Sequence, residues 1–211
     1  MTENLSIQFE GKIVVITGST QGLGEAVAHL FTRRGAEGLV ICGRNIDNGR
    51  KVADSIIAQG CPTHFVEADL ESVDDCKKVI SEADSRFGRI DSLVNCAAIT
   101  DRGTILDTSP ELFERMFAIN TRAPFFLMQG ALNIMIREGI EGTVVNVQSM
   151  SAHGGQSFIT AYSGSKGALS VLTKNAAYSV MRHRIRINGL NIGWMDSPGE
   201  DSIQKKYHGA G

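Results

Sequence analysis

The fold is decided by residues 13–24, which read IVVITGSTQGLG. The β-branched run at residues 13–17 predicts a short buried strand. Apolar residues spaced three or four positions apart from Leu23 onward predict a helix over residues 23–34. Three glycines stand at the junction, so we expect the chain to pass from a strand through a tight turn directly into a helix.

The alternation of strand and helix continues along the chain. Further strands are predicted at residues 39–42, 64–67, 92–95, 143–147 and 185–191, and further helices at residues 48–59, 72–87, 110–137 (interrupted around residues 120–124) and 161–181. Apolar strands that alternate with helices form a parallel sheet covered by helices on both faces. We therefore predict an α/β fold, with one Rossmann-type doubly wound sheet in a single domain of residues 1–211.

Composition excludes several classes of partner. The 211 residues carry a formal charge of −2, so no overall field attracts nucleic acid or an anionic membrane. No apolar run reaches the ~18 residues of a membrane span, and the polar first twelve residues do not resemble a secretory signal. The four cysteines are scattered, and neither they nor the histidines have metal-binding spacing. We expect a cytoplasmic protein without nucleic-acid, membrane or metal partners.

The glycine-rich turn is suited to hold a pyrophosphate. Its backbone can approach a ligand closely, and the following helix offers unpaired N–H groups and the positive end of its dipole. The spacing G-x-x-x-G-x-G differs from the more common G-x-G-x-x-G, and a simple turn without a ligand is the alternative. Its place at the first strand–helix junction favours a dinucleotide site formed by Gly18, Ser19, Thr20, Gln21, Gly22, Leu23 and Gly24.

The end of the second strand indicates which dinucleotide binds. Such sites usually carry an acidic residue about twenty positions after the glycines, where it bonds the adenosine ribose. Here that position is Arg44, and a guanidinium can pair with a 2′-phosphate. We therefore favour NADP over NAD as the cofactor. The alternative is that Arg44 is an exposed loop residue without a ligand.

A tyrosine and a lysine stand four positions apart at the start of the longest helix. Tyr162 and Lys166 therefore share one helix face. A phenol has an ordinary pKa of ~10, which a neighbouring ammonium lowers by stabilising the phenolate. The pair could exchange a proton with a ketone or alcohol oxygen, although such a pair also arises by chance.

Several motifs together resemble the short-chain dehydrogenase/reductase family, from about Phe9 to Pro198. The glycine turn is similar to the family's T-G-x-x-x-G-x-G, and Asp69 with Leu70 matches the pair that holds the adenine ring. Residues 95–98, which read NCAA, resemble its N-N-A-G stretch below the cofactor. Asn120 matches an asparagine at a helix kink, where Pro124 also predicts a kink. Ser149 precedes Tyr162 by thirteen residues, as the family's catalytic serine does.

The resemblance implies a role for each matched residue. Tyr162 is the general acid and base, and Ser149 steadies the charge on the reacting oxygen. Lys166 lowers the pKa of Tyr162 and bonds the nicotinamide ribose, and Asn120 holds a water in a proton relay. The cofactor residues are the turn, Arg44, Tyr162, Lys166 and also Asp69, Leu70, Asn95, Ala97, Ile192 and Ser197.

Three departures from the family pattern stand out. Cys96 and Ala98 replace an asparagine and a glycine, and residues 191–197, NIGWMDS, replace N-P-G-x-x-x-T. Ile192 thus stands where the family has proline, while Ser197 keeps the hydroxyl of the threonine. Family members also continue with a substrate-covering segment, a helix and a last strand. Because this chain stops at Gly211, we expect it to lack the C-terminal helix and last strand.

The implied function is hydride transfer between NADP(H) or NAD(H) and a small alcohol or ketone. The alternative is a non-catalytic dinucleotide-binding sensor or scaffold. The pocket is expected to include Ser151, His153, Gln156 and Trp194, although these residues do not identify the substrate. Family resemblance implies a homodimer or homotetramer, formed through the helices that carry Asn120 and Tyr162.

Overall fold

A computed structural model describes residues 8–195 and 198–208 of the chain. Six strands form one parallel sheet in the order β3-β2-β1-β4-β5-β6. Their bounds are β1 Ile13–Thr17, β2 Gly38–Gly43, β3 Thr63–Glu67, β4 Ser92–Asn95, β5 Thr143–Ser149 and β6 Arg186–Ile192. The order reverses between β1 and β4, and such a switch point is where ligands bind in sheets of this kind.

Helices connect the strands and cover the sheet. They are α1 Gly22–Arg33, α2 Ile46–Ile57, α3 Val73–Phe87, α4 Pro110–Phe117, α5 Ala123–Arg137, α6 Thr160–Val180 and α7 Pro198–His208. Side-chain caps begin three of these helices: Asn45, Ser72 and Ser109 each accept a hydrogen bond from a backbone N–H three residues later. These caps fix where α2, α3 and α4 start.

The central strands β1, β2 and β4 are buried on both faces, where two hydrophobic clusters enclose the sheet. Val15 of β1 packs into a cluster with α3 and α5, whereas Val14 and Ile16 face a second cluster with α1 and α2. All three side chains are fully buried. This alternation along one strand confirms the prediction of a doubly wound sheet.

The predicted strands match the observed ones, with small differences at their ends. The predictions for β1 and β4 coincide with the structure, and β5 extends two residues further, to Ser149. The interruption predicted around residues 120–124 is a π-helix, Ala118–Arg122, which separates α4 from α5. Pro124 lies in the first turn of α5, directly after the π-helix.

Helix α7 was not predicted from the sequence. It is mostly polar, with acidic residues in its first turn and a lysine pair near its end, so it has no strong apolar stripe. It lies against the loop that follows β4, where Lys206 contacts Asp101 at 3.0 Å. In the part of the chain that the structure describes, no helix is long and apolar enough to cross a membrane.

Candidate active site

A cavity of about 350 Å³ opens at the carboxyl ends of the strands. Its lining comes from the turn after β1, the loops after β2, β3 and β4, the end of β5 and the first turns of α6 and α7. The carboxyl edge at the switch point is the expected ligand site of an open α/β sheet. One cavity therefore brings together most of the residues that the sequence analysis singled out.

The glycine turn forms one end of this cavity. Gly18 and Gly22 have φ angles of 63° and 57°, in the left-handed region that favours glycine. A Cβ at Gly18 would lie 2.7 Å from the Cα of Ala97, and a side chain at Gly24 would collide with the backbone of Gly18. Gln21 makes no side-chain cap to α1. The first N–H groups of α1 and its positive dipole end therefore suit an anionic ligand.

Six of the seven predicted turn residues line the cavity: Gly18, Thr20, Gln21, Gly22, Leu23 and Gly24. The side chain of Ser19 does not. It is fully buried, its Oγ donates to the carbonyl oxygen of Ile16 at 2.7 Å, and it accepts from the N–H of Cys42 at 3.0 Å. Ser19 thus ties the turn to β1 and β2.

The neighbouring wall contains the residues predicted to hold the adenosine. Arg44, Asp69 and Leu70 all line the cavity, and Arg44 is exposed to solvent. No carboxylate stands at the end of β2, where Gly43 lies under the side chain of Thr20. The guanidinium of Arg44 is therefore accessible to an anionic group at this wall.

The loop after β4 is held by a hydroxyl group of β1. Thr17 Oγ1 accepts hydrogen bonds from the N–H groups of Cys96 at 3.1 Å and Ala97 at 3.2 Å. Ala97 and Cys96 line the cavity, whereas Asn95 is buried and donates to Asn146 Oδ1 at 2.8 Å. Asn95 therefore shapes the sheet below the site.

Ser149 and Tyr162 meet at the opposite end of the cavity. Ser149 is the last residue of β5, and Tyr162 lies in the first turn of α6. Burial raises the pKa of Tyr162, the polar side chain of Ser149 acts in the opposite direction, and the charge of Glu200 raises the pKa further. The phenol is therefore protonated at neutral pH.

Lys166 lies one helical turn after Tyr162 and is almost fully buried. Its Nζ donates to the carbonyl oxygen of Val147 at 2.8 Å and lies 5.9 Å from the centre of the Tyr162 ring. Burial lowers the pKa of Lys166 to about 8. The sequence analysis predicted that Lys166 lowers the pKa of Tyr162. Burial of the phenol instead raises this pKa.

Asn120 lies in the π-helix and outside the cavity lining. Its side chain is fully buried: Nδ2 donates to the carbonyl oxygen of Ile99 at 3.0 Å and to Ser165 Oγ at 3.1 Å, and Oδ1 accepts from the N–H of Ile99 at 2.9 Å. Asn120 thus links the loop after β4 to α6, one residue before Lys166. π-turns of this kind are frequent at functional sites.

The remaining predicted residues divide into three groups. Ile192, Ser151 and Trp194 line the cavity, whereas His153 and Gln156 do not. Gln156 instead accepts a hydrogen bond from Ser151 Oγ at 2.6 Å. Ser197 lies outside the described residues. Within residues 8–195 and 198–208, no group of side chains has the arrangement of a metal site.

Two charged residues of the lining were missed by the sequence analysis. Arg102 follows β4 in a loop without a recognisable motif, and Glu200 lies in α7, which was not predicted. Their side chains form an ion pair at 3.4 Å. No sequence signal marks either residue, because their proximity depends on a contact between segments 98 positions apart.

Comparison with known proteins decides the family. A match to the family described as short chain dehydrogenase covers residues 12–208. The chain belongs to the short-chain dehydrogenase/reductase family. As such it is an NAD(P)-dependent oxidoreductase that acts on CH–OH groups, which confirms the predicted family and enzyme class.

Individual members of the family show the extent of the likeness. Sorbitol dehydrogenase of Cereibacter sphaeroides is 32% identical, over 95% of this chain and 77% of that protein. The NADP-dependent (R)-specific alcohol dehydrogenase of Lentilactobacillus kefiri is 29% identical, over 97% and 79%. A crystal structure of a short-chain type dehydrogenase/reductase from Mycobacterium marinum has a TM-score of 0.89 and 28% identity, covering 97% of this chain and 80% of that one.

Proposed function

We propose that this short-chain dehydrogenase/reductase transfers a hydride between NADP(H) and a small secondary alcohol or its ketone, with Tyr162 as general acid and base. One observation carries the proposal. Tyr162, Ser149 and Lys166 lie in or beside the cavity whose other end is formed by the glycine turn and Arg44. The cavity thus joins a proton-transfer group to an anion-binding turn.

The chain's own residues fit a nicotinamide dinucleotide. The open first turn of α1 would hold the pyrophosphate, and Asp69 and Leu70 would flank the adenosine. Ala97 and Ile192 are proposed to lie along the nicotinamide half, and the role of Ser197 rests on the family resemblance alone. The bound cofactor supplies the hydride donor or acceptor, and the protein supplies position and electrostatics.

Tyr162 and Ser149 are the residues proposed to act on the substrate oxygen. The raised pKa keeps the phenol of Tyr162 protonated, ready to donate to a ketone oxygen. Ser149, whose side chain acts to lower the pKa of Tyr162, would donate to the same oxygen as negative charge develops. In alcohol oxidation Tyr162 must first lose its proton, so the oxidation rate should rise with pH.

Lys166 and Asn120 are proposed to complete the catalytic group. Lys166 is held by the carbonyl oxygen of Val147 at 2.8 Å, and its ammonium would bind the nicotinamide ribose. Asn120 uses its side-chain amide to fix the Ile99 backbone and Ser165, which leaves its backbone to hold a relay water. In this proposal Asn120 positions the loop as well as the water.

The relatives support a small alcohol as substrate. One is named a sorbitol dehydrogenase and another an NADP-dependent (R)-specific alcohol dehydrogenase. The test is a turnover screen of secondary alcohols and ketones with NADP(H) and NAD(H), followed at 340 nm. Turnover with at least one pair supports the proposal, and tight cofactor binding without turnover of any substrate would overturn it.

The cofactor preference depends on Arg44. We expect wild-type kcat/KM to be higher with NADP than with NAD, because the exposed guanidinium can pair with the 2′-phosphate. Arg44→Gln should lower kcat/KM for NADP by about 10- to 100-fold, the value of one charge-assisted hydrogen bond, and leave NAD nearly unchanged. Arg50→Gln, on α2 and outside the cavity lining, is the control. A clear wild-type preference for NAD would contradict the assignment.

Two further expectations stay predictions. The chain is proposed to be a single domain and to associate into homodimers or homotetramers through the helices next to Asn120 and Tyr162. Phe113 of α4, Phe125 of α5 and Tyr178 of α6 are exposed apolar side chains on these helices. Light scattering on the purified protein checks the oligomeric state.

A further inference from the structure

Arg102 is a buried cation in the cavity that the proposed chemistry does not use. Its side chain is only 9% exposed, and the guanidinium lies 4.9 Å from the ring centre of Phe158 and 5.9 Å from that of Trp194. Its hydrogen bond to Glu200, at 3.4 Å, is long. Its Nε is buried and has no hydrogen-bond partner within residues 8–195 and 198–208.

The position of Arg102 relative to Tyr162 is fixed by the backbone. The next residue, Gly103, forms a parallel bridge with Ile159. Its N–H donates to the carbonyl oxygen of Phe158 at 2.9 Å, and its carbonyl oxygen accepts from the N–H of Thr160 at 3.0 Å. The loop of Arg102 is therefore joined by backbone hydrogen bonds to the segment that leads into Tyr162, and both residues line the same cavity.

Burying a guanidinium without its full set of hydrogen bonds is unfavourable for the protein unless a ligand supplies further hydrogen bonds. Burying a charge without full hydrogen bonding is unfavourable, and Arg carries five N–H donors in a fixed fork. The ring contacts to Phe158 and Trp194 stabilise the cation but accept no conventional hydrogen bond. Arg102 lines the cavity, so we expect a ligand to supply acceptors to the part of the guanidinium that faces it, while the buried Nε stays out of reach.

The charge of this wall limits what the ligand can be. Glu200 balances Arg102, and it is close enough to Tyr162 to raise the pKa of the phenol. A carboxylate or phosphate on the substrate would meet this negative charge next to the reacting oxygen. An apolar skeleton would leave the donors of Arg102 unmatched. A neutral group with oxygen acceptors satisfies both conditions.

The single tryptophan of the chain adds a flat apolar surface. Trp194 lines the same cavity and is 69% exposed, so its indole is available to cover the C–H groups of a ligand. A chain of carbons bearing hydroxyl groups presents C–H surface and oxygen acceptors together.

We propose that Arg102 is a specificity residue that donates hydrogen bonds to a hydroxyl group beside the reacting carbon, and that the substrate is a neutral polyhydroxylated alcohol or its ketose. This inference rests on the proposed function and narrows its substrate class. Arg102 touches the substrate in this assignment but takes no part in proton or hydride transfer.

The experiment compares three substrates that share a secondary alcohol. They are a hexitol, a simple secondary alcohol such as 2-butanol, and a hydroxy acid such as 3-hydroxybutyrate, each assayed with NADP and NAD. For the wild type we expect the highest kcat/KM with the hexitol. A site built to bond a hydroxyl discriminates strongly against analogues that lack it.

Arg102→Met tests the residue itself. Methionine keeps the length and the contacts with Phe158 and Trp194 but removes every donor. We expect kcat/KM for the hexitol to fall about 10- to 100-fold, mainly through KM, while kcat/KM for 2-butanol changes less than about threefold. Arg115→Met is the matched control, because Arg115 pairs with Glu71 at 3.5 Å outside the cavity lining.

A second variant keeps the test valid if Arg102→Met does not fold. Arg102→Lys keeps the charge and loses the planar fork, so it should lower hexitol selectivity while leaving 2-butanol turnover intact. Hexitol binding to the non-reacting NADPH complex is also followed by the fluorescence of Trp194, which needs no turnover.

The outcomes separate the two proposals. Turnover of 2-butanol or 3-hydroxybutyrate with a kcat/KM equal to or above that of the hexitol overturns the substrate class and leaves the proposed function standing. An equal loss for hexitol and 2-butanol in both Arg102 variants shows a structural role and overturns the specificity role. No turnover of any substrate with either cofactor overturns the proposed function, and this inference falls with it.

Discussion

Buried charged groups are bonded differently at the amino ends of the strands, which form the amino edge of the sheet, and at their carboxyl ends, which form its carboxyl edge. At the amino edge, Asp91 precedes β4 and is 3% exposed. It accepts hydrogen bonds from Arg89 at 2.7 and 2.9 Å, from the N–H of Ile13 at 3.0 Å and from Lys12 at 3.3 Å. Burial alone would raise the pKa of Asp91, but these bonds outweigh it and hold the pKa below its usual value.

At the carboxyl edge, the effect of burial outweighs the hydrogen bonds that the chain makes to the titratable groups. Lys166 is held by the carbonyl oxygen of Val147, and burial lowers its pKa to about 8. Burial also raises the pKa of Tyr162, and Arg102 keeps a buried nitrogen without a partner in the described part of the chain. Each of these groups is therefore less well solvated in the protein than in water.

This difference in bonding distinguishes buried groups that stabilise the fold from buried groups that serve the reaction. A buried charge that the chain itself bonds on several sides stabilises the fold, whereas one left incompletely bonded is stable only when a ligand supplies the rest. Natural proteins often leave polar groups incompletely paired at functional sites. We infer that the amino edge of this sheet is built for stability and the carboxyl edge for chemistry.

Tyr162→Phe should produce the largest effect at the carboxyl edge. Removing the phenol oxygen should lower kcat by about 10²- to 10⁴-fold, the usual contribution of general acid–base catalysis. Cofactor affinity should remain close to wild type, because the glycine turn and Arg44 are untouched. Steady-state kinetics and a fluorescence titration with NADPH measure the two quantities. A variant that keeps more than about a tenth of the wild-type kcat would contradict the acid–base role.

Asp91→Asn should produce the largest loss of stability at the amino edge. We expect the free energy of unfolding to fall by about 2 kcal/mol at pH 7, because the charge-assisted hydrogen bonds of Arg89 and Lys12 to the buried carboxylate are lost. Since the pKa of Asp91 is lowered, its contribution is present above pH ~4 and is lost as pH falls through the folded-state pKa.

The measurement for Asp91 is urea denaturation of wild type and variant between pH 3 and 8. Asp84→Asn is the control, since Asp84 pairs with Arg137 at 2.7 Å on the surface and should cost less than about 1 kcal/mol. Equal losses in the two variants would remove the distinction between the amino edge and an ordinary surface pair.

Lys166→Met should have a smaller effect on stability than Asp91→Asn, with the opposite sign. Removing a buried ammonium relieves its desolvation, so we expect the free energy of unfolding to rise by about 1–2 kcal/mol at pH 7 while turnover falls. The gain should be fully present below pH 8, the lowered pKa, and should fade as pH rises towards ~10. Thermal unfolding across this range checks it, and a destabilised variant would break the comparison between the edges.

Periodicity explains why most of the fold could be predicted. β1 and β4 match their predicted bounds because a short apolar strand between turn residues has few alternatives. The interruption at Asn120 was predicted from Pro124 and the family resemblance, but its form as a π-helix was not. Helix α7 was missed because its polar sequence has no apolar stripe.

Motifs predicted the parts of the candidate site that lie close together in sequence. The glycine turn and the Tyr162–Lys166 pair each occupy a few consecutive positions, and both lie at the cavity as expected. Ser19 lies in the same motif, yet its side chain bonds β1 and β2. Arg102 and Glu200 were missed because only tertiary contact brings them together.

The π-helix between α4 and α5 determines which neighbouring helices these two helices contact. A π-turn holds one residue more than an α-turn, so every later side chain is rotated by about 100° from its place in an uninterrupted helix. With this offset α4 packs against α6, while α5 packs mainly against α3 and contacts α6 less. Deleting one residue from Ala118–Arg122 would restore a regular helix and turn α5 by about 100° relative to α4, away from its present contacts with α3.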